Sequence, residues 1–240
     1  MKNSSQTKPF LQAVRQSFLS ALGAIIFGME DGTVSIFGLV FGVAASATDS
    51  RIVLLAGATG AISAAVSMMA GTYLDVSTER DRTRAAIAME QREIAEKPAE
   101  EAEEVRARLM QAGFNSNDAE AVVTIIQRTP VAMLKFESAF ELEIGKTGDQ
   151  NPIVQAFWMF LADLFAAFVP VLPFAFLPLG SARTVSLFMT TLLLVLLGVG
   201  RGIIGHKNLV TTAIQTLAIG AAAGAAGLLI GLLVGGQIGS

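Results

Sequence analysis

The chain has 240 residues, 52% of them hydrophobic and 15% charged, with positive mean hydropathy, which excludes a disordered chain and points to a polytopic membrane protein. It has no Cys, so disulfide frameworks, thiolate metal sites and thiol redox chemistry are excluded, and its single His, His206, rules out histidine clusters such as H-E-x-x-H. The net charge of −3 conceals a partition: residues 79–149 hold 15 acids and 10 bases, while the rest of the chain holds 5 acids and 7 bases.

The start, MKNSSQTKPFLQAVRQ, is polar, and the apolar run after it is long and lacks a convincing cleavage site, so no cleavable signal peptide is expected. Five apolar spans follow, at about 17–47, 52–74, 153–177, 184–204 and 209–236, each of about the 20 residues that a helix needs to cross a hydrocarbon core. The first is longer than required and should tilt or project beyond the bilayer. It carries Glu30 and Asp31 between two uncharged stretches, residues 17–29 and 32–48. An acid at bilayer depth costs about 3 kcal/mol on insertion scales and usually faces a protein interior or a water-filled path. The competing reading is that Asp31 caps a helix after a break at Gly28 or Gly32. Glu30 either faces the same path or solvates that break.

Residues 79–150 follow the second span and read as helical. ERDRTRAAIAMEQREIAEK has alternating charge and good helix formers, and Pro98 ends it. AEEAEEVRARLMQAG makes a second helix stopped at Gly113. Asn115 or Ser116 can cap a third, which ends before Pro130, and a fourth begins with that Pro in its first turn. So short a domain has little core of its own. The third span holds Asp163, Pro170 and Pro173, which predicts a bent helix. Asp163 is either another pathway acid or, the preferred reading, a structural partner for Arg201. Small-residue spacing of Gly220, Gly224, Gly227, Gly231 and Gly235 in the fifth span allows close helix approach. Arg51, Tyr73 and Arg183 suit interface anchors.

Orientation follows from the bases at the span ends. Lys2, Lys8 and Arg15 precede span one, and Arg201 and Lys207 lie between spans four and five, which predicts a cytoplasmic N-terminus, an opposite C-terminus and a cytoplasmic insert. The expected fold is an all-α membrane protein of five transmembrane helices with a helical insert between helices two and three. The domain limits are 1–78, 79–150 and 151–240.

Within the insert, acids recur three or four apart: Glu90 and Glu93, Glu101 and Glu104, Glu137 and Glu141. Such pairs share a helix face and repel one another unless a cation neutralises them. A solvated charged face with interspersed Arg82, Arg84, Arg92, Arg106 and Arg108 explains the same pattern, and both readings stand at this point. Oxygen-only ligands suit Mg, Ca, Mn and Fe(II). The Glu-x-x-His pairs of a ferritin-like di-iron site are missing.

From about residue 17 to the end of span five the chain resembles the vacuolar iron transporter family, proton-coupled exporters of Fe(II). The most specific segments are GMEDGTVSIFGLVFGV in span one and GAISAAVSMMAGTYLDVSTERD at the end of span two. The resemblance implies an intramembrane Asp and Met on the transport path of a dimer, which match Asp31 and Met68. It also implies metal-binding glutamates at Glu90, Glu93, Glu101, Glu104 and Glu141. One position departs from the family: where the pattern has a Met-Met pair, this chain has Glu137 and Ser138. A carboxylate and a hydroxyl replace two soft ligands that help to discriminate transition metals from Mg and Ca. Glu137 adds a charge on the face of Glu141.

The expected function is therefore transport, not catalysis: Fe(II), with Mn(II) as the alternative substrate, leaves the cytoplasm in exchange for protons. The insert collects metal, and Asp31, Met68 and Glu30 line the path. No prosthetic group and no nucleic acid is expected. The expected partners are the metal ion, protons, the lipid bilayer and a second copy of the chain, with span one near the twofold axis. The membrane would be the plasma membrane in a prokaryote or a vacuolar-type membrane in a eukaryote. A membrane metal sensor or store, or an uncoupled channel, is the competing class; a sensor has no need of an acid at the depth of Asp31.

Overall fold

A computed structural model describes residues 7–140 and 150–238, with side chains for residues 12, 14–138 and 150–235; Lys2 and Glu141 lie outside the described residues. Every regular element among the described residues is a helix: α1 (Thr7–Ser20), α2 (Leu22–Ser46), α3 (Ser50–Glu96), α4 (Pro98–Gln111), α5 (Ser116–Ile126), α6 (Pro130–Phe140), α7 (Pro152–Val171), α8 (Pro173–Phe176), α9 (Leu179–Ile204) and α10 (Leu209–Ile238). Five of them, α2, α3, α7, α9 and α10, are long and apolar enough to cross a membrane. The chain is an all-α, multi-pass membrane protein. It divides into two compact units, residues 1–73 with 152–240, and residues 74–151.

In the first unit the expected long first span is two helices. Residues 17–20 belong to α1, and the chain turns at Ala21 before α2 begins at Leu22. The turn is fixed by contacts to α7. Trp158 donates its indole N–H to Ser17 Oγ at 2.9 Å, its ring meets Phe18 edge-on, and Gln155 donates to the Ser20 carbonyl. The excess length is thus resolved by a break rather than by tilt. Helix α2 then runs unbroken through Gly28 and Gly32, so Asp31 is not a cap but a residue inside a helix.

Four positions on α2 let its backbone meet its neighbours directly. A Cβ added at Gly28 would lie 2.6 Å from Met159 Sδ, and one at Gly32 would lie 2.5 Å from the Asp163 carbonyl oxygen. At Gly38 and Gly42 the obstructing atoms are the carbonyl oxygens of Ala223 and Gly227. Lipid offers no hydrophobic drive for helix association, so contact of this kind, rich in van der Waals atoms, is what holds such bundles together. The pairing of Gly28 with Met159 and Gly32 with Asp163 makes α7 parallel to α2. The same reasoning makes α10 parallel to α2 and α3 antiparallel to it, because Gly57 abuts Val40 and Gly60 abuts Ile36 and Leu39.

Ile36, Val40, Ala44, Val53, Ala61, Ala167, Val171 and Phe174 form the main buried cluster of this unit. Pro170 and Pro173 act as expected: α7 ends at Val171 and the short α8 turns the chain towards α9. Arg183 and Ser50 fasten the helix ends on this side, Arg183 donating to the Ala44 carbonyl at the end of α2 and Ser50 to the Leu177 carbonyl. Arg183 is therefore a helix-end partner, whereas Arg51 and Tyr73 are exposed.

In the second unit, helical residues at the end of α3 are followed by α4, α5 and α6. Pro98 opens α4, Gly113 takes a φ of 101° after it, and Asn115 caps α5 by accepting the Asp118 N–H at 2.9 Å. These are the breaks that Pro, Gly and Asn dictate locally. Val105, Leu109, Ala119, Val123 and Met133 make its small core.

Candidate functional site

Glu30, Asp31, Asp163 and Arg201 of the membrane-spanning helices gather in one layer of the first unit. Glu30 and Asp31 are adjacent in sequence, but successive residues of an α-helix are 100° apart, so they serve different faces. Glu30 points to α9 and α10. Its carboxylate accepts from Arg201 at 2.9 and 3.2 Å and from Thr216 Oγ at 3.0 Å, while Arg201 also donates to Gln215. Thr216 is fully buried and the Glu30 side chain is 14% exposed. The expected pairing of Arg201 with Asp163 is thus overturned. Arg201 takes Glu30 because α9 and α10 lie against that face of α2, whereas Asp163 sits on α7 against another.

Asp31 is half-buried and has no ion pair among the described residues. It belongs to a stripe of α2 at fourfold spacing, Gly23, Phe27, Asp31 and Ser35, in which Gly23, Phe27 and Ser35 are exposed. Among the described residues this stripe is uncovered at Gly23, Phe27 and Ser35, and α10 reaches the same face only further along, at Gly38 and Gly42. Met68 is half-buried on α3. Helix α3 runs antiparallel to α2, meeting it at Gly57 and Gly60. Asp163, fully buried, lies against Gly32 and near enough to Asp31 for the two carboxylates to repel each other.

The second unit gathers three acids from three helices. Glu90 of α3, Glu101 of α4 and Glu137 of α6 are all buried, at 4%, 5% and 0% exposure, and each offers a carboxylate oxygen within 4.8 Å of the other two. Arg108 donates to Glu137 at 2.9 Å and lies 3.6 Å from Glu104. A solvated charged face would leave all three side chains in water, where the charged form is cheapest. Buried carboxylates this close repel strongly in low dielectric, so the arrangement suits a multivalent cation. Glu93 is half-buried and Glu104 is exposed; neither joins the three. Glu137, at the position where the sequence departs from the family it resembles, is one of the three. The surrounding surface pairs are ordinary. Lys97 meets Glu100 at 2.7 Å, and that hydrogen bond holds the Lys97 ammonium above its usual range.

Sequence reasoning did not find Thr216, Gln215 or Met159. The first two are uncharged residues in an apolar helix, and only the packing of α10 on α2 brings them to Glu30 and Arg201.

A family model described as the VIT family matches residues 22–232. The Vacuolar iron transporter 1 proteins of Eucalyptus grandis and Arabidopsis thaliana are each 32% identical to this chain over 200 residues, covering 83% of it and 80% of the relative. Protein CCC1 of Saccharomyces cerevisiae is 27% identical over 225 residues, covering 89% of this chain and 68% of that protein.

The Glu30–Arg201 pair should be visible in stability. Removing the guanidinium in Arg201→Gln leaves a largely buried carboxylate with one hydroxyl donor, at a cost of about 2 kcal/mol. Glu30→Gln/Arg201→Gln removes both charges and should recover most of the loss. Thermal unfolding of the detergent-solubilised chain, read by intrinsic Trp158 fluorescence, checks both variants; equal midpoints for wild type and Arg201→Gln would refute the pairing.

Proposed function

The chain belongs to the VIT family, and from that premise we propose that it moves Fe(II) out of the cytoplasm in exchange for protons. The observation that carries the reading is Asp31, a half-buried acid within an unbroken membrane-length helix and on that helix's uncovered face. An ionisable group is tolerated at that depth where it meets water, a partner or a transported ion. A carboxylate can hold either a metal ion or a proton at the same oxygens, and alternation between them couples the two flows. Met68, half-buried on α3, supplies a soft contact. Glu30, held by Arg201 and Thr216, serves the path by fixing α2 rather than by binding cargo. The named relatives are iron transporters, which favours iron. The replacement of a soft ligand by Glu137 favours harder ions and keeps Mn(II) as the second substrate.

The Glu90–Glu101–Glu137 cluster is the metal-collecting site of the insert, on the cytoplasmic side by the distribution of basic residues. The uncovered stripe of α2 supports assembly as a twofold dimer in which the two Asp31 residues face one path. Closed twofold pairing is the commonest oligomeric arrangement.

Reconstituted in proteoliposomes, the wild-type chain should move Fe(II) at a rate that increases with an opposing proton gradient, and Asp31→Asn should abolish that flux while inserting normally. Wild-type flux with unchanged pH dependence in the variant rules out the exchange role.

Calorimetry of the full chain with Mn(II) should show a binding class lost in Glu90→Ala/Glu101→Ala/Glu137→Ala. Protons compete for carboxylate oxygens, so binding should weaken as pH falls towards the ordinary Glu value of about 4.3. Identical isotherms for the two proteins would leave the cluster without a metal role.

The chain lacks Cys, so engineered thiols give a clean test of the dimer. Phe27→Cys and Ser35→Cys, on the uncovered stripe, should cross-link between subunits, whereas Ile36→Cys and Val40→Cys, 2% and 0% exposed in the native chain, should not. Cross-linking without that periodicity, or transport by a monomer, refutes the twofold path.

A further inference from the structure

Asp163 has no role in the reading so far, and its surroundings are unusual for a structural acid. Its side chain is fully buried, and neither carboxylate oxygen accepts a hydrogen bond from any described residue. Buried carboxylates are ordinarily paired, hydrogen-bonded or bound to a cation. The cationic neighbour expected for it, Arg201, is engaged with Glu30 and Gln215. Space for the carboxylate is made by a missing side chain: a Cβ on Gly32 would lie 2.5 Å from Asp163 Oδ1. Gly32 directly follows Asp31, so the carboxylate it admits lies one helix position round from Asp31, near enough for the two charges to repel each other. The parallel register of α7 and α2, with Met159 at Gly28 and Asp163 at Gly32, fixes the two acids at the same depth.

We propose that Asp31 and Asp163 together form a two-carboxylate binding site for a divalent cation within the membrane-spanning unit, with Asp163 contributed by α7 as a second metal ligand. The proposal rests on the reading of Asp31 as a cation-path residue and adds to it a ligand from the same subunit. A divalent ion between the two carboxylates turns their repulsion into attraction and satisfies oxygens that no protein donor reaches. Two oxygen ligands from one subunit also raise the charge that a divalent ion meets relative to a single acid, which favours divalent over monovalent cations. Met159 Sδ, one turn before Asp163 on the same face, is a softer atom at this crossing. The crossing therefore suits Fe(II) or Mn(II) better than a wholly oxygen-lined one would.

The test uses the full-length chain in detergent, carrying Glu90→Ala/Glu101→Ala/Glu137→Ala so that the insert cluster does not mask the membrane site, with Mn(II) alone as the probe and free Mn(II) counted by electron paramagnetic resonance. The remaining Mn(II) should be lost on adding Asp31→Asn, and its affinity should fall roughly tenfold or more on adding Asp163→Asn. Loss with Asp31→Asn but unchanged affinity with Asp163→Asn overturns this inference and leaves the role of Asp31 standing. Unchanged binding in both variants overturns the reading of Asp31 as well. Should Asp163→Asn fail to give folded protein, Asp163→Glu keeps the charge and moves its oxygens. The zero-field splitting of bound Mn(II) should then change, and an unchanged spectrum overturns the proposal.

Discussion

The first unit depends on the closeness with which α2 meets its neighbours. Gly28 and Gly32 accept α7, and Gly38 and Gly42 accept α10, at separations where an added Cβ would collide with a carbonyl oxygen or a side chain. In lipid this closeness is the main source of helix cohesion, since burial of apolar surface gains nothing over contact with acyl chains. It also positions chemistry. The contact at Gly32 admits the Asp163 carboxylate, and the packing of α10 on α2 carries Thr216 to Glu30. Larger residues at these positions would push α7 and α10 outwards and separate the groups that make the polar layer.

That layer treats its acids differently. Glu30 is neutralised by a guanidinium and a hydroxyl, so its charge is spent on holding α2, α9 and α10 together. Asp31, one residue on, lies a third of a turn round the helix and has no ion pair among the described residues. Two adjacent acids thus divide into a fastening group and a group left available, and the division follows from the 100° step of the helix. Asp163 is a third case, buried as deeply as a core residue and yet charged in type.

The second unit applies the same electrostatics in another setting. Its core is small, and it holds three buried carboxylates close together, with Arg108 paired to one of them. Glu137, from α6, completes a cluster whose other members come from α3 and α4.

Much of this was legible in the residues themselves. Apolar length gave five spans, and the Pro, Gly and Asn at 98, 113, 115 and 130 gave the boundaries of the insert helices, because capping and breaking are local effects of single residues. Glu30, Asp31 and the insert acids stood out because charge in an apolar run, or acids at helical spacing, is a one-dimensional signal. Partnership was not legible. Arg201 pairs with Glu30 rather than Asp163, and residues 17–20 belong to a separate helix, because each outcome depends on which faces meet across separations of up to 171 residues. The sequence by itself determined where the helices run and which residues carry charge into the membrane. Only the tertiary structure decided which acids are neutralised, which are gathered and which remain available, because that is settled by the close packing of helix faces remote in the chain.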